Sequence, residues 1–295
     1  CRIDCGGTWD LKPFAMLYHY LHPSTVNIAI NLRTRIKLLP FKEGWTKVSS
    51  KGFLSEKYPS NNVPFNTRLG FAFAIATFFN VTGVHINIVS ESPPKSALGG
   101  SGVLGVALIN AFSIALSKLG KKLLSREEIV RLAYNIEDGL SVSLTGMQDQ
   151  AAAAFGGVNK WIWRHQNGFK REELISNENV KELESHILVA YCGKSHESVD
   201  VNSKWVEGFI KGENRDIWFE INDTTINLAN ALKKLDWASA AEALTRETLL
   251  RQKITPEVLI PSTQRLVDLA RECQCGARFT GGGGGGCVWA FGDTE

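Results

Sequence analysis

The chain has 295 residues, enough for one large domain or two ordinary ones, and its 44% hydrophobic and 21% charged residues are the balance of a soluble globular protein. Six cysteines in that length exclude a disulfide scaffold, and a formal charge of +3 without a polybasic run excludes nucleic acid as an expected partner. Basic residues that matter must therefore act locally.

No signal peptide is visible, and the chain opens at Cys1 within a strand-like run, so residues upstream are expected. His19 and His22 have no third ligand nearby and read as surface histidines. Val26, Ile28, Ile30 and Leu32 alternate with Asn27, Ala29 and Asn31, which predicts a half-buried strand, with Thr34–Leu39 as its hairpin partner. Val84, Ile86 and Ile88 alternate in the same way, and the polar loop Ser90–Gly100 follows. A helix is predicted from near Ser101 to Gly120, a residue suited to ending it. Its most apolar part, Val103–Leu116, is interrupted by Asn110 and Ser113 and is too short to span a bilayer, so it reads as a buried helix and no membrane is expected.

Ser125 and Glu128 form a capping box for the next helix, whose apolar stripe is Ile129, Leu132, Ala133, Ile136 and Leu140. Strand-like runs recur at Val158–Trp163, His186–Tyr191 and Cys287–Phe291. The polar, charged stretch Gln166–Asn179 is the predicted boundary, dividing the chain into 1–170 and 171–295. The class is mixed α+β in two parts. Cys1/Cys5 and Cys273/Cys275 lack the C-x2-C spacing of zinc sites, so reduced cytosolic thiols and a cytoplasmic protein are expected.

Three places could carry chemistry. In SESPPKSALGGSGVLG, residues 90–105, Pro93 and Pro94 stiffen a loop that runs through glycines directly into a helix. Such a turn lets backbone approach a ligand and aims N–H groups and the positive helix end at an anion, for which phosphate is the natural choice. Gly100, Gly102 and Gly105 also fit G-x-G-x-x-G, but no strand immediately precedes them, and Glu127 and Glu128 fall at a helix start instead of a strand end. A glycine turn needed only for helix–strand packing is the bland alternative. The second place is the pair Glu137 and Asp149. Glu137 lies beside the apolar stripe, and Asp149 stands in the otherwise uncharged TGMQDQAAAAFGG, where a helix N-cap is the bland reading. Two acids near a phosphate loop would suit magnesium binding and activation of a hydroxyl. The third is RFTGGGGGGCVWAF, residues 278–291, where six glycines lead at once into an apolar strand, a pattern for close backbone packing against a loop or ligand.

Together these segments resemble the GHMP kinase superfamily. PKSALGGSG resembles its phosphate loop, RFTGGGGGGC its third, glycine-rich motif, GMQDQ the catalytic segment of the sugar-kinase branch, and RIDCGGTWD its first motif. The resemblance implies an N-terminal α/β domain of the ribosomal protein S5 domain 2-like type, then a ferredoxin-like domain, with ATP and Mg2+ as cofactors. It assigns Asp149 as the base, with Arg2 near the transferred phosphate. Pro94, Lys95, Ser96, Ala97, Leu98, Gly99, Gly100, Ser101 and Gly102 would cradle the ATP phosphates. Ser101 and Glu137 would hold the metal, and Asp10, Gly282 and Gly283 the acceptor. Gly100 and Gly102 stand where serines are more common, and Arg2 to Asp10 is one residue shorter than in sugar kinases.

GMQDQAAAAFGG and VNIAINL are most similar to the heptose 7-phosphate kinase and fucokinase group, and GARFTGG also to galactokinases, although their Glu-His pair is replaced by Gly6–Gly7–Thr8–Trp9. The expected partner is thus a small sugar or sugar phosphate, phosphorylated at its anomeric hydroxyl. Lys194 and His196 are available for a second phosphate, and a homodimer is compatible with the family. A mevalonate-type kinase and a kinase-fold sensor without turnover are the rival readings.

Overall fold

The computed structural model describes residues 1–141, 144–164, 168–194 and 201–293. The strands in chain order are β1 Arg2–Gly6, β2 Ser24–Ala29, β3 Thr34–Pro40, β4 Trp45–Ser50, β5 Glu56–Pro59, β6 Val84–Ser90, β7 Val158–Arg164, β8 Gly168–Ile175, β9 Ile187–Tyr191, β10 Gly276–Phe279 and β11 Cys287–Phe291. They fall in two compact units. The first comprises Cys1, residues 31–93 and residues 99–155; the second comprises 2–30, 94–98 and 156–295.

The first unit is built on the sheet β3-β6-β4-β5. Alternation in β6 points Val84, Ile86 and Ile88 to one face, where they meet Phe73 and Ile75 of the helix Gly70–Phe78, Leu108, Ile109 and Phe112 of the helix Gly100–Ser117, and Ile129 and Ala133 of the helix Arg126–Leu140. The capping box is formed, with Glu128 N–H donating to Ser125 Oγ at 3.2 Å and Ser125 N–H to Glu128 Oε2 at 2.8 Å. Gly120, at φ 81°, follows the end of the long helix. That helix, 18 residues of mean hydropathy 1.7, is long and apolar enough to cross a membrane by length and composition, which exceeds what the interrupted run Val103–Leu116 led us to expect. In this fold one face of it, with Val106, Leu108, Ile109 and Phe112, is buried in the core of the unit, while Ile114 is exposed.

The second unit holds two sheets, β1-β2-β7-β8 and β10-β11-β9. Three expectations are corrected here. Thr34–Leu39 is not the hairpin partner of the Val26 strand: β3 pairs antiparallel with β6, while β2 lies between β1 and β7. The β2 strand is not half-buried either, because Thr25 and Asn27 are also fully enclosed. Their side chains accept the indole N–H groups of Trp163 and Trp161, each at 2.9 Å, so the polar face is as internal as the apolar one. Finally, Gly168–Ile175, inside the stretch read as a boundary, is a strand paired along β7 (Gln166 lies outside the described residues). The units accordingly interleave along the chain where a single crossing at 170/171 was expected. The physical reason is sheet pairing, which joins β1 and β2 near one end of the sequence to β7 and β8 beyond its middle.

Candidate active site

In the first unit, the helix Gly100–Ser117 begins at Gly99, which takes φ 77° and offers no side-chain cap. Val103 N–H donates to Gly99 O at 3.1 Å, so Gly100, Ser101 and Gly102 make up a first turn whose N–H groups have no acceptor within the helix. Such a first turn, with its helix dipole, is chemically suited to an anion. Asp149 is the second residue of the helix Gln148–Phe155, and Ala151 N–H donates to Met147 O at 3.1 Å. It therefore lies inside the first turn, and the N-cap reading does not apply to it.

The start of that second helix packs directly on the glycine turn. A methyl group at Gly99 would stand 2.9 Å from Asp149 Cγ, and one at Gly102 would stand 2.7 Å from Asp149 Cβ and 3.2 Å from Gln150 N. Glycine at position 102 is thus explained by the approach of Asp149. Gly105 is close-packed too: a methyl there would meet Phe71 at 2.9 Å.

Glu137 lies in the last turn of the helix Arg126–Leu140, half-buried, and accepts from Gln150 Nε2 at 2.6 Å and from the Ser101 hydroxyl. Burial pushes its carboxyl up to about 7 against the Ser101 hydrogen bond, and the charge of Asp149 adds to the rise. A cation would favour the ionised form. The donors Ser101 Oγ, Glu137 and Asp149 are all hard oxygens, which fits Mg2+, an ion that takes one or two carboxylates and completes its shell with water and phosphate. The described residues contain no group of three His, Cys, Asp or Glu able to hold a metal by themselves.

In the second unit, Ser96, Ala97 and Leu98 are held from two sides. Arg2 N–H donates to Leu98 O at 3.1 Å and Arg2 Nη1 to Ala97 O at 2.7 Å. The glycine-rich turn holds the other side: Cys287 N–H donates to Ser96 O at 3.1 Å, and methyl groups at Gly286 and Gly281 would stand 2.8 Å from Ser96 O and 3.3 Å from Ala97 Cβ. The turn is thus a close-packing element, as its glycine run suggests. Ala97 and Lys95 carry positive φ of 61° and 56°, and Pro94 and Lys95 are exposed. Gly282 is partly exposed, whereas Gly283 is buried with φ 76°, and a methyl there would fall 2.4 Å from Val258 O. Asp10 is buried in the turn after β1. Lys194 is exposed and its carbonyl accepts from Gly286 N–H at 2.9 Å; His196 lies outside the described residues.

Beneath these residues runs a buried charge network that the sequence reading missed. Arg278 donates to Glu247 Oε2 at 2.7 Å and to the Asp4 carboxylate, while Glu247 Oε1 accepts from Arg251 Nε at 2.9 Å. Arg251 also donates to Thr8 Oγ1 and lies 4.7 and 4.6 Å from the rings of Trp205 and Trp218. Burial alone would raise the Asp4 and Glu247 carboxyls, but Arg278, with Arg2 for Asp4 and Arg251 for Glu247, outweighs it and holds both below their ordinary values. A visible signal existed: Asp4 stands between the apolar Ile3 and Cys5 with Arg2 two positions away on the same strand face, and Glu247 and Arg251 are one helical turn apart.

One unit of this α+β chain holds a glycine-capped helix with an adjoining carboxylate, and the other holds a glycine-rich turn packed on Ser96 and Ala97. Residues 67–157 match the family described as GHMP kinases N terminal domain, and residues 228–295 match GHMP kinases C terminal. The chain belongs to the GHMP kinases. Among particular relatives, the D-glycero-alpha-D-manno-heptose 7-phosphate kinase of Campylobacter jejuni subsp. jejuni is 27% identical over 210 residues, covering 70% of this chain and 61% of that protein. The mevalonate kinase of Thermococcus sibiricus is 25% identical over 291 residues, covering 89% of this chain and 81% of the relative. The solved structure of Lactococcus lactis galactokinase complexed with galactose superposes with a TM-score of 0.76 at 16% identity, covering 99% of this chain and 84% of that one, a likeness of fold.

Proposed function

We propose that the chain is an ATP-dependent kinase that transfers the γ-phosphate to the anomeric hydroxyl of a sugar, with heptose 7-phosphate the first acceptor to test. The observation that carries this reading is the Asp149 carboxylate lodged against the glycine turn at the helix start, with Ser101 and Glu137 beside it. In this reading the phosphates of ATP lie along residues 94–102, where helix N–H groups and fixed backbone offset their charge. Mg2+, held by Ser101 and Glu137, would neutralise charge on the phosphates. Asp149 accepts the proton of the acceptor hydroxyl as its oxygen bonds to the γ-phosphorus, and the bond to the β-phosphate oxygen breaks to release ADP. An anomeric hydroxyl, the most acidic of a sugar's hydroxyls, suits a carboxylate base. Asp10, Gly282 and Gly283 are assigned to acceptor binding.

A second reading has its own support, since the match to the Thermococcus mevalonate kinase runs over more of both chains than the heptose kinase match. Purified protein with Mg2+ and ATP should be tried against heptose 7-phosphate, fucose, galactose and mevalonate, following ADP release. Phosphorus NMR of the product should show coupling to the anomeric proton. Turnover of mevalonate alone would replace the sugar reading; no turnover of any acceptor alongside tight ATP binding would favour a sensor.

A further inference from the structure

Beyond its place in the charge network, Asp4 touches Gly281 of the glycine-rich turn and Arg2, two of the groups that hold residues 96–98. Its Oδ1 accepts from Gly281 N–H at 2.8 Å and lies 3.4 Å from Arg2 Nη1, and its Oδ2 accepts from Arg278. The same Arg2 Nη1 donates to Ala97 O. Arg278, fully buried, also donates to Asp4 O at 3.2 Å and Phe279 O at 2.9 Å, so the guanidinium is bonded to backbone of both β1 and β10. One carboxylate thereby links the glycine-rich turn, which packs on Ser96 and Ala97, to Arg2, which holds the carbonyls of Ala97 and Leu98.

We propose that Asp4, clamped by Arg278, is a positioning residue for nucleotide binding, and that Arg2 acts through the loop carbonyl it holds rather than by touching the transferred phosphate. This rests on the kinase reading above. The positive φ of Ala97 supports it, because a non-glycine residue keeps that conformation only where its surroundings enforce it, and Arg2, Gly281 and Gly286 are those surroundings.

The two roles for Arg2 differ in which nucleotide they affect. A residue on the γ-phosphate matters to ATP and not to ADP; one that shapes the loop matters to both. Calorimetric titration of Mg-ADP and of a non-hydrolysable ATP analogue into wild type, Arg2→Gln, Arg2→Lys and Asp4→Asn tests this. Arg2→Gln should weaken both nucleotides by the same factor, about 10-fold for loss of a charged hydrogen bond. Arg2→Lys, which keeps a donor for Ala97 O, should recover part of the loss. KM for ATP should rise while KM for the acceptor stays put, a split that general loosening of the fold would not give. Asp4→Asn should match Arg2→Gln, and the double variant should be little worse than either. Loss of analogue affinity with ADP unchanged would overturn the proposal, as would no loss of either. Removing a partner from a buried ion pair can unfold a protein, so Arg2→Gln, which leaves Asp4 and Arg278 paired, decides the matter if Asp4→Asn does not fold. A wild-type protein that binds neither nucleotide sinks the kinase reading itself, a result distinct from the others.

Discussion

Gly102→Ala puts the packing of the base to a quantitative test. The added methyl would begin 2.7 Å from Asp149 Cβ and 3.2 Å from Gln150 N. Carbon atoms rest at about 3.5–4.0 Å, so the start of the helix Gln148–Phe155 must retreat by about 1 Å. The neighbour is a Cβ rooted in the backbone, so a rotamer change does not relieve the clash. Misplacement of a reacting group by that distance lowers the rate by about 10²-fold, and overpacking destabilises by about 1–3 kcal/mol. Replacing a helical glycine by alanine gains up to about 1 kcal/mol in propensity, so the net change in stability is small and kcat is the sharper readout. Gly139→Ala is the matched control: it is also helical, and nothing lies within 4 Å of its added methyl. It should keep wild-type turnover and melt at the same or a higher temperature. Coupled ADP release gives kcat, and a thermal melt gives Tm. If Gly102→Ala turns over within about twofold of wild type at unchanged Tm, Asp149 is not the base or does not sit where it is described.

The other expectations are simpler. Asp149→Asn should lower kcat by about 10²-fold or more while Kd for ADP is little changed, and wild-type turnover would remove it as the base. Glu137→Gln should raise the Mg2+ concentration for half-maximal rate; an identical magnesium titration in the folded variant would take Glu137 out of the site. Gly286→Ala combines φ 79° with a methyl 2.8 Å from Ser96 O, and should lower stability by about 1–3 kcal/mol in urea unfolding. Asp4 and Glu247 sit below their ordinary values of 3.8 and 4.5, so their contribution is complete above those values and is lost as pH falls through the lowered ones. Urea midpoints should therefore drop steeply below about pH 4, and Arg278→Lys should shrink that drop; a variant with the wild-type acid profile would contradict the network's role.

Elements whose cause is local were legible in the residues themselves. Periodicity fixed β6, β7, β9 and β11, and Ser125 with Glu128 fixed a helix start, because capping and alternation need only neighbours in the chain. The glycine run before β11 announced close packing for a similar reason: six residues without side chains have little else to offer beside an apolar strand. Partners distant in the chain emerged only on folding. Alternation says that Val26 and Ile28 share a face, but not that Trp161 and Trp163 would cover the other one and draw Asn27 and Thr25 inside. The polar look of Gly168–Ile175 suggested a linker because solvated strand faces and loops share a composition, and only its pairing with β7 separates them. Asp149 and Gly102 are 47 positions apart in the sequence, and nothing in either predicts a 2.7 Å approach. The buried charges were least legible of all. Asp4, Glu247, Arg251 and Arg278 are tolerable inside only because they meet one another, and that meeting is a property of the folded chain.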